Sequence, residues 1–424
     1  MDEVKLFSPS REALFARRPN RFLIIAKDGK TEIKCHCPNP GRLIEFVFPG
    51  AKLILEKRDE KNEKAKTPYT AVGIYYRDTV APLFSARANK AAEQIILREI
   101  IPNIKEIHPE FTLGDSRFDF LCIDKKGMRH LVEVKACSLV EYGAAMFPDA
   151  PSGRALKHLE ELAGLSAEGY SCHVLFVIVH SKPERFIPNL HTDPEFAAAL
   201  SKYGRAADPC DTKTAAENGP VVIHACLLEC SNTGMAHLAA AHVPVDLSHG
   251  ELAASDAGNY LIQLEIPETY EIETGGLGTI RFKAGWYVYA GSARKNLAKR
   301  INRHLRKIRK QKHWHIDYLT PFAKTIKGLP IMSYRNLECD LAAELKTLGG
   351  KAIPGFGSSD CHCKGHKCPG HLYYFKDRPM GNREFVEMLL RYRHVEGLER
   401  GTTHPSCRSN HLNDPSVVLP AEVF

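Results

Sequence analysis

Glu133 and Lys135 stand two residues apart in HLVEVKACSLV, a segment whose pattern predicts a strand, so both side chains share one face. Asp119 lies in the preceding predicted strand, SRFDFLCID, and the turn residues KKGMR join the two. Antiparallel pairing then brings Asp119 near Glu133. Two carboxylates beside a lysine at a sheet end suit a divalent cation working on a phosphodiester. Hard oxygens hold Mg²⁺ or Mn²⁺, and such an ion offsets phosphate charge and acidifies water. Glu93, on the predicted helix NKAAEQIILREI that Asn89 would cap, completes the acidic set. Arg154, Lys157 and His158 fall on one helical face at i, i+3 and i+4 and can clamp phosphates. The competing reading of all these residues is an ordinary solvated surface.

A second concentration of charge runs from Arg281 to Lys312, with twelve Lys or Arg and no Asp or Glu. Its predicted helix, NLAKRINRHLRKIRK, carries an apolar stripe of Leu297, Ile301, Leu305 and Ile308. Arg300, His304 and Lys307 occupy another face, set to meet a phosphate backbone through counterion release. Arg303, Arg306, Lys307 and Lys310 are the candidate nucleic-acid contacts. Gly291, at the end of YVYAGSA, allows close approach of a phosphate or metal. Further on, CHCKGHKCPGH holds Cys361, Cys363, Cys368, His362, His366 and His371. Cysteine and histidine at such distances can ligate zinc, although the spacing is not that of a standard zinc finger; reduced surface thiols are the alternative.

The elements that must position these groups are legible as a series. RFLIIAKDGK turns at Asp28-Gly29, and TEIKCHC, AKLILEKRDE and TAVGIYYRDTVAPLF follow as short strands, which predicts a small β-barrel over residues 1–84. Residues 85–247 read as helix, two strands, the helix RALKHLEELAGLSAEG, the buried strand CHVLFVIVH and the later strand VVIHACLLEC, a mixed sheet flanked by helices. The small polar stretch 248–258 reads as a linker. A second α/β domain spans 259–376, with strands YLIQLEI and GWYVYAG and the helix ECDLAAELKTL. Residues 377–424 read as a C-terminal tail.

The longer motifs carry two resemblances. RFL, CHCPNPGRL, NKAAEQI, SRFDF, VEVKACSL, FPDAPSGRALKHLEEL and FVIVHS together resemble the sugar fermentation stimulation protein A family, from about Phe7 to about Leu247. The pattern of Asp119, Glu133 and Lys135 also resembles the PD-(D/E)xK nuclease superfamily. These resemblances imply an oligonucleotide-binding-type barrel followed by a nuclease-like domain that binds DNA. Pro40 stands where the family has threonine, and Ala155 where it has glycine, which removes a candidate phosphate contact and room for close backbone approach. From Asn259 to Phe375, the order Tyr260, Tyr289-Ala290-Gly291, Leu297, Arg300, His304, Glu338 resembles the GIY-YIG nuclease superfamily. HWHIDYL, ECDLA and GFGSSDCHC are similar to an uncharacterised subgroup of it. This resemblance implies that Glu338 holds one divalent metal, Arg300 stabilises the phosphate in flight, Tyr260 or Tyr289 orients or deprotonates water, and His304 assists proton transfer. Cys361, Cys363 and His371 follow that subgroup's pattern. Gly258-Asn259-Tyr260 departs from Gly-Ile-Tyr, which puts Asn259 at a strand edge.

The whole is an α+β multidomain protein. Its 424 residues, 44% hydrophobic and 25% charged, give globular domains with sizeable cores. A net charge of +8 fits a polyanionic partner. No apolar run spans a bilayer and the N-terminus is not a signal peptide, so a cytoplasmic location is expected. Thirteen cysteines, without a paired pattern, do not describe a disulfide framework. Two functions remain open: a Mg²⁺- or Mn²⁺-dependent DNA nuclease, or a non-cleaving DNA-binding regulator of sugar metabolism. Phosphate contacts alone do not separate DNA from RNA, and the oligomeric state is not legible.

Overall fold

Alternating apolar positions build the first strands. A computed structural model describes residues 2–58, 67–114, 116–207, 219–308, 311–358, 361 and 368–400. In it Arg11–Asn20, Leu23–Asp28, Thr31–His36, Lys52–Lys57 and Tyr69–Tyr76 form a sheet whose ends meet, Thr31–His36 pairing parallel with Tyr69–Tyr76. That closure makes the expected barrel, and Phe15, Ile24, Ile33, Leu53, Leu55 and Ile74 fill it. Gly29 takes the left-handed conformation the Asp28-Gly29 turn requires, with φ 56°. One pairing crosses the expected boundary at residue 84. Glu3–Lys5 joins the next domain, antiparallel to Met235–Ala240.

The second sheet is mixed, as its pattern predicts. Arg129–Cys137, Ser171–Ile178 and Val221–Cys230 lie parallel side by side at its centre. The hairpin of Ile104–Leu113 with Ser116–Asp124 extends one flank. Helices cover the centre, so Ser171–Ile178 is buried from Cys172 onward instead of alternating. Helix Gly153–Ser166 starts at Ser152, whose hydroxyl accepts the Ala155 N–H at 3.2 Å. Asn89 caps nothing: it sits within Arg87–Ala91, which continues through a π turn, Ala92–Ile96, into Leu97–Ile100.

The stretch expected as a linker contains a helix, Gly250–Ser255, whose Leu252 and Ala253 are buried. Beyond it an antiparallel sheet runs in the order Thr325–Met332, Gly258–Ile266, Gly285–Ala293, Leu372–Phe375, Lys351–Ala352. The basic helix is shorter than its pattern suggests. It covers Leu297–Leu305 and stops where Arg306 turns extended. Ile308, 77% exposed, therefore leaves the apolar stripe. Nor does a tail begin at residue 377: Arg383–Arg391 is a helix capped by Asn382, with Phe385, Met388 and Leu389 buried. Residues 401–424 lie outside the described residues.

Buried hydrogen bonds join the two halves. His191 Nδ1 accepts the Met332 N–H at 2.9 Å while Nε2 donates to the Arg393 carbonyl at 2.6 Å. His394 Nδ1 donates to the Glu141 carbonyl at 2.9 Å. Among the described residues no helix is long and apolar enough to cross a membrane.

Candidate active sites in two clefts

The hairpin register pairs Val132 with Phe120, and its continuation sets Glu133 beside Asp119. Both carboxylates open on a cleft of about 480 Å³ that Asn39, Pro40, Lys135, Asp149 and Arg154 also line. Asp119 Oδ2 accepts the Val134 N–H at 2.7 Å and Oδ1 accepts from Asn89 Nδ2 at 2.7 Å. Glu133, 3% exposed, accepts at Oε1 from Lys135 Nζ and from His158 Nδ1, the latter at 2.7 Å. Its other oxygen, Oε2, is buried and takes no hydrogen bond among the described residues. Burial and then the Glu133 charge push the Asp119 carboxyl up. Burial also opposes ionisation of Glu133, but the His158 hydrogen bond and the Lys135 charge outweigh it and hold that carboxyl down.

Glu93 stays outside this cluster. It is exposed near the start of the π turn Ala92–Ile96 and does not line the cleft. Asn89 reaches Asp119 in its place. The basic helix face also divides. Arg154 is exposed at the cleft rim and Lys157 is exposed beside Glu161, but His158 is 6% exposed and committed to Glu133. His158 thus orients a carboxylate and does not meet a phosphate. Ala155 turns its methyl into the core, so it does not obstruct the cleft.

Arg18, outside every motif, and Asp149, within FPDAPSGRALKHLEEL but not singled out there, shape the loop after Cys37. Arg18 donates to the carbonyls of Arg21, Asn39 and Gly41. A Cβ on Gly41 would lie 2.0 Å from Asp149 Oδ2, so only glycine lets this loop meet that acid.

The second cleft holds about 930 Å³ between the Gly285–Ala293 strand, the basic helix and the start of Glu338–Thr347. Tyr260, Tyr289, Arg300 and Glu338 line it together with Arg294, Lys295, Trp314 and His315. His304 lies fully buried behind it. Its Nε2 is 3.1 Å from the Tyr260 hydroxyl, and its Nδ1 is 3.4 Å from Asp317 Oδ1. Asp317, part of HWHIDYL but not singled out there, also accepts from Arg303 Nη2 at 2.9 Å and from the backbone N–H groups of His313 and Trp314. Burial raises the hydroxyl pKa of Tyr260 and Tyr289, so both stay neutral. Arg300 Nη1 donates to the Ser292 carbonyl at 3.0 Å, and its guanidinium lies 5.1 Å from the centre of the Trp314 ring. Glu338 accepts from Ser292 Oγ at 2.6 Å and from His371 Nδ1 at 2.7 Å. Gly291 is required, since a Cβ there would lie 2.4 Å from the Tyr260 ring.

Three expectations change here. Asn259 is not at an edge: it is fully buried in a central strand, donating to the Arg335 carbonyl and accepting the Leu337 N–H at 2.9 Å. Its amide thereby fixes the turn that presents Glu338. Arg303 serves Asp317, and Lys307 caps the carbonyls of Ala323 and Lys324, so neither stands ready for a phosphate. Arg306 is exposed, as are Arg294 and Lys295 at the cleft. Lys310 and Cys363 lie outside the described residues. Cys361 and His371 do come together, and Cys339 and Cys368 join them.

Three family models match separate stretches of the chain. Residues 16–82 match the SfsA N-terminal OB domain and residues 86–207 match the Sugar fermentation stimulation protein RE domain. Residues 259–394 match Domain of unknown function DUF123. A sugar fermentation stimulation protein homolog of Pyrobaculum neutrophilum is 33% identical over 243 residues, 57% of this chain and 96% of that protein. A homolog of Clostridium botulinum is 38% identical over 192 residues, 44% of this chain and 82% of that protein. The solved structure of Pyrococcus furiosus SfsA in complex with Ca²⁺ is 29% identical with a TM-score of 0.48, covering 57% of this chain and 99% of that one.

Proposed function

Because the chain belongs to the sugar fermentation stimulation protein family, which accounts for its first half, we propose that it is a DNA-binding protein that hydrolyses phosphodiester bonds with a divalent metal. The fused C-terminal domain, read as GIY-YIG-like, is its principal cutting site. The observation that carries this reading is the convergence of Tyr260, Arg300 and Glu338 on one cleft with exposed cations at its rim.

The proton path follows from the hydrogen bonds. Asp317 holds the His304 proton at Nδ1, which leaves Nε2 to accept from Tyr260. As a water attacks phosphorus, its proton goes to the Tyr260 oxygen and the tyrosine proton goes to His304 Nε2, while the opposite P–O bond breaks and the departing sugar oxygen takes a proton from solvent. The resulting imidazolium is paired with Asp317. A tyrosine kept neutral by burial suits this two-step transfer, since it needs no free phenolate. Arg300, pinned by Ser292, offers its remaining N–H groups to the phosphate oxygens as their charge grows. Glu338, one carboxylate at the cleft wall with each oxygen accepting a single hydrogen bond, has lone pairs left to hold Mg²⁺ or Mn²⁺. Bound there, that ion supplies Lewis-acid neutralisation of the phosphate.

Asp119 and Glu133 hold a second divalent ion in the first cleft; the orphaned, buried Glu133 Oε2 fits such a ligand. The barrel and Arg154 at the rim would contact nucleic acid there. The test is incubation of the full chain with single-stranded, duplex and branched DNA and with RNA, with and without Mg²⁺ or Mn²⁺. Metal-dependent cleavage of DNA is expected. Tight binding with no cleavage of any substrate would favour the non-cleaving regulator.

A further inference from the structure

Beside Glu338, on the side away from the phosphate cleft, three thiols and an imidazole meet. Cys339 belongs to the first turn of helix Glu338–Thr347, Cys361 and Cys368 follow strand Lys351–Ala352 in the chain, and His371 directly precedes strand Leu372–Phe375. One donor atom from each lies within 4.8 Å of all the others. The sulfurs of Cys339 and Cys361 are 3.5 Å apart, close to the edge of about 3.8 Å that a zinc tetrahedron has when each Zn–S bond is ~2.3 Å. His371 is 1% exposed; its Nδ1 is used by Glu338, while its Nε2 is buried with no hydrogen bond among the described residues.

We propose that Cys339, Cys361, Cys368 and His371 bind one zinc ion, with His371 ligating through Nε2 and holding Glu338 through Nδ1. Soft sulfur donors select zinc over the Mg²⁺ proposed for Glu338, so two metals of different chemistry sit on opposite sides of one histidine. A metal-ligating histidine ordinarily donates its other N–H to a carboxylate, which fixes both ring and tautomer. Here that carboxylate is the residue at the cleft wall. Binding converts three thiols to thiolates and releases their protons to solvent. The ligands come from three separated stretches, which is why no finger-like spacing announces the site. Zinc also ties Cys361 and Cys368 to the helix that carries Glu338.

Metal content of the full chain, purified without added metal, tests this, and it is read without nucleic acid, so it stands or falls separately from the cleavage reading. One zinc per chain is expected, falling below a tenth of that in Cys339→Ser and Cys368→Ser and remaining at one in Glu338→Ala. Should the serine variants fail to fold, stepwise mercurial titration of the wild type serves instead: zinc leaves as three thiols react. Cobalt substituted for zinc should give the visible bands of a tetrahedral site with sulfur-to-cobalt charge transfer. In ¹⁵N-histidine-labelled protein His371 should have a metal-bound Nε2 and a protonated Nδ1 whose signal moves in Glu338→Ala, a signature that mere packing does not produce. A chain without zinc that gives no tetrahedral cobalt spectrum overturns the proposal. So do full zinc in Cys368→Ser and a Cys339–Cys361 disulfide in the metal-free native protein.

Discussion

The two clefts solve the same electrostatic problem in opposite ways. In the first, most cations near the carboxylates are engaged: Lys135 and His158 both serve one oxygen of Glu133, and Lys157 lies beside Glu161, which leaves Arg154 at the rim. What the inner wall of the cleft offers is carboxylate. In the second, Asp317 is kept behind the wall, where it holds His304 and Arg303, and the surface presented to a ligand carries Arg294, Lys295 and Arg300 around the single carboxylate of Glu338. An acidic cleft attracts a cation first and a phosphate only through it. A basic cleft attracts phosphate directly. On the proposed reading, this difference is the reason to expect most nucleic-acid contact and cleavage at the larger cleft.

The strongest way to break that assignment is to remove each acid in turn. Glu338→Ala should lower single-turnover cleavage of a labelled duplex by about a thousandfold, the equivalent of losing ~4 kcal/mol of charge stabilisation, and leave binding largely intact. Glu133→Ala should cost far less. Normal cleavage by Glu338→Ala with none by Glu133→Ala would reverse the roles of the clefts.

Arg300→Ala should slow the same reaction by roughly a hundredfold, about 3 kcal/mol. Affinity should change little, because Arg294 and Lys295 remain at the rim. An equal loss in affinity would make Arg300 a binding residue and not one that acts on the transition state.

Acid separates the halves through a different device. His130, His173 and His224 form a buried ladder across neighbouring strands, bonded at 3.1 Å and 2.9 Å. Burial lowers all three, His224 to about 3. A base with a depressed pKa contributes its full stability above its ordinary value near 6.5 and loses it as the pH falls toward 3. Hydrogen exchange between pH 7 and 4 should therefore loosen Ser171–Ile178 and Val221–Cys230 before Gly258–Ile266. Simultaneous loss would remove the ladder as the acid-sensitive element.

The smallest effect sharpens the comparison most. Replacing Arg294 and Lys295 with alanine should flatten the dependence of log affinity on log salt by about 1.8, two phosphates' worth on duplex DNA. An unchanged slope would move the contacts to the first cleft or the barrel.

What could be read beforehand followed the range of the interaction. Glu133, Lys135 and Asp119 were legible because a two-residue period and a short turn fix their geometry. The barrel and the mixed sheet were legible for the same reason. His158 was misread because i, i+4 spacing identifies a helical face but not what that face packs against. Glu93 was misplaced because an apolar pattern marks the buried face of a helix and not which polar residue meets a cleft. Asn259 looked like an edge residue, since its partners, Arg335 and Leu337, lie far along the chain. Asp317 and Cys339 were missed outright. Each works only by meeting residues brought together by the fold, and HWHIDYL and ECDLA gave no local reason to single them out.

The three-residue strand Glu3–Lys5 has a consequence for how the chain is made. Its partner, Met235–Ala240, leaves the ribosome more than two hundred residues later. Until then Glu3–Lys5 is unpaired beside a barrel that can already close, and the edge at Met235–Ala240 is open until the two strands meet. Long-range pairing of this kind is slow to form, and an open strand edge recruits other chains. The first few residues thus work as a late-closing clasp. A chain shortened by its first six residues should keep both clefts yet aggregate during refolding.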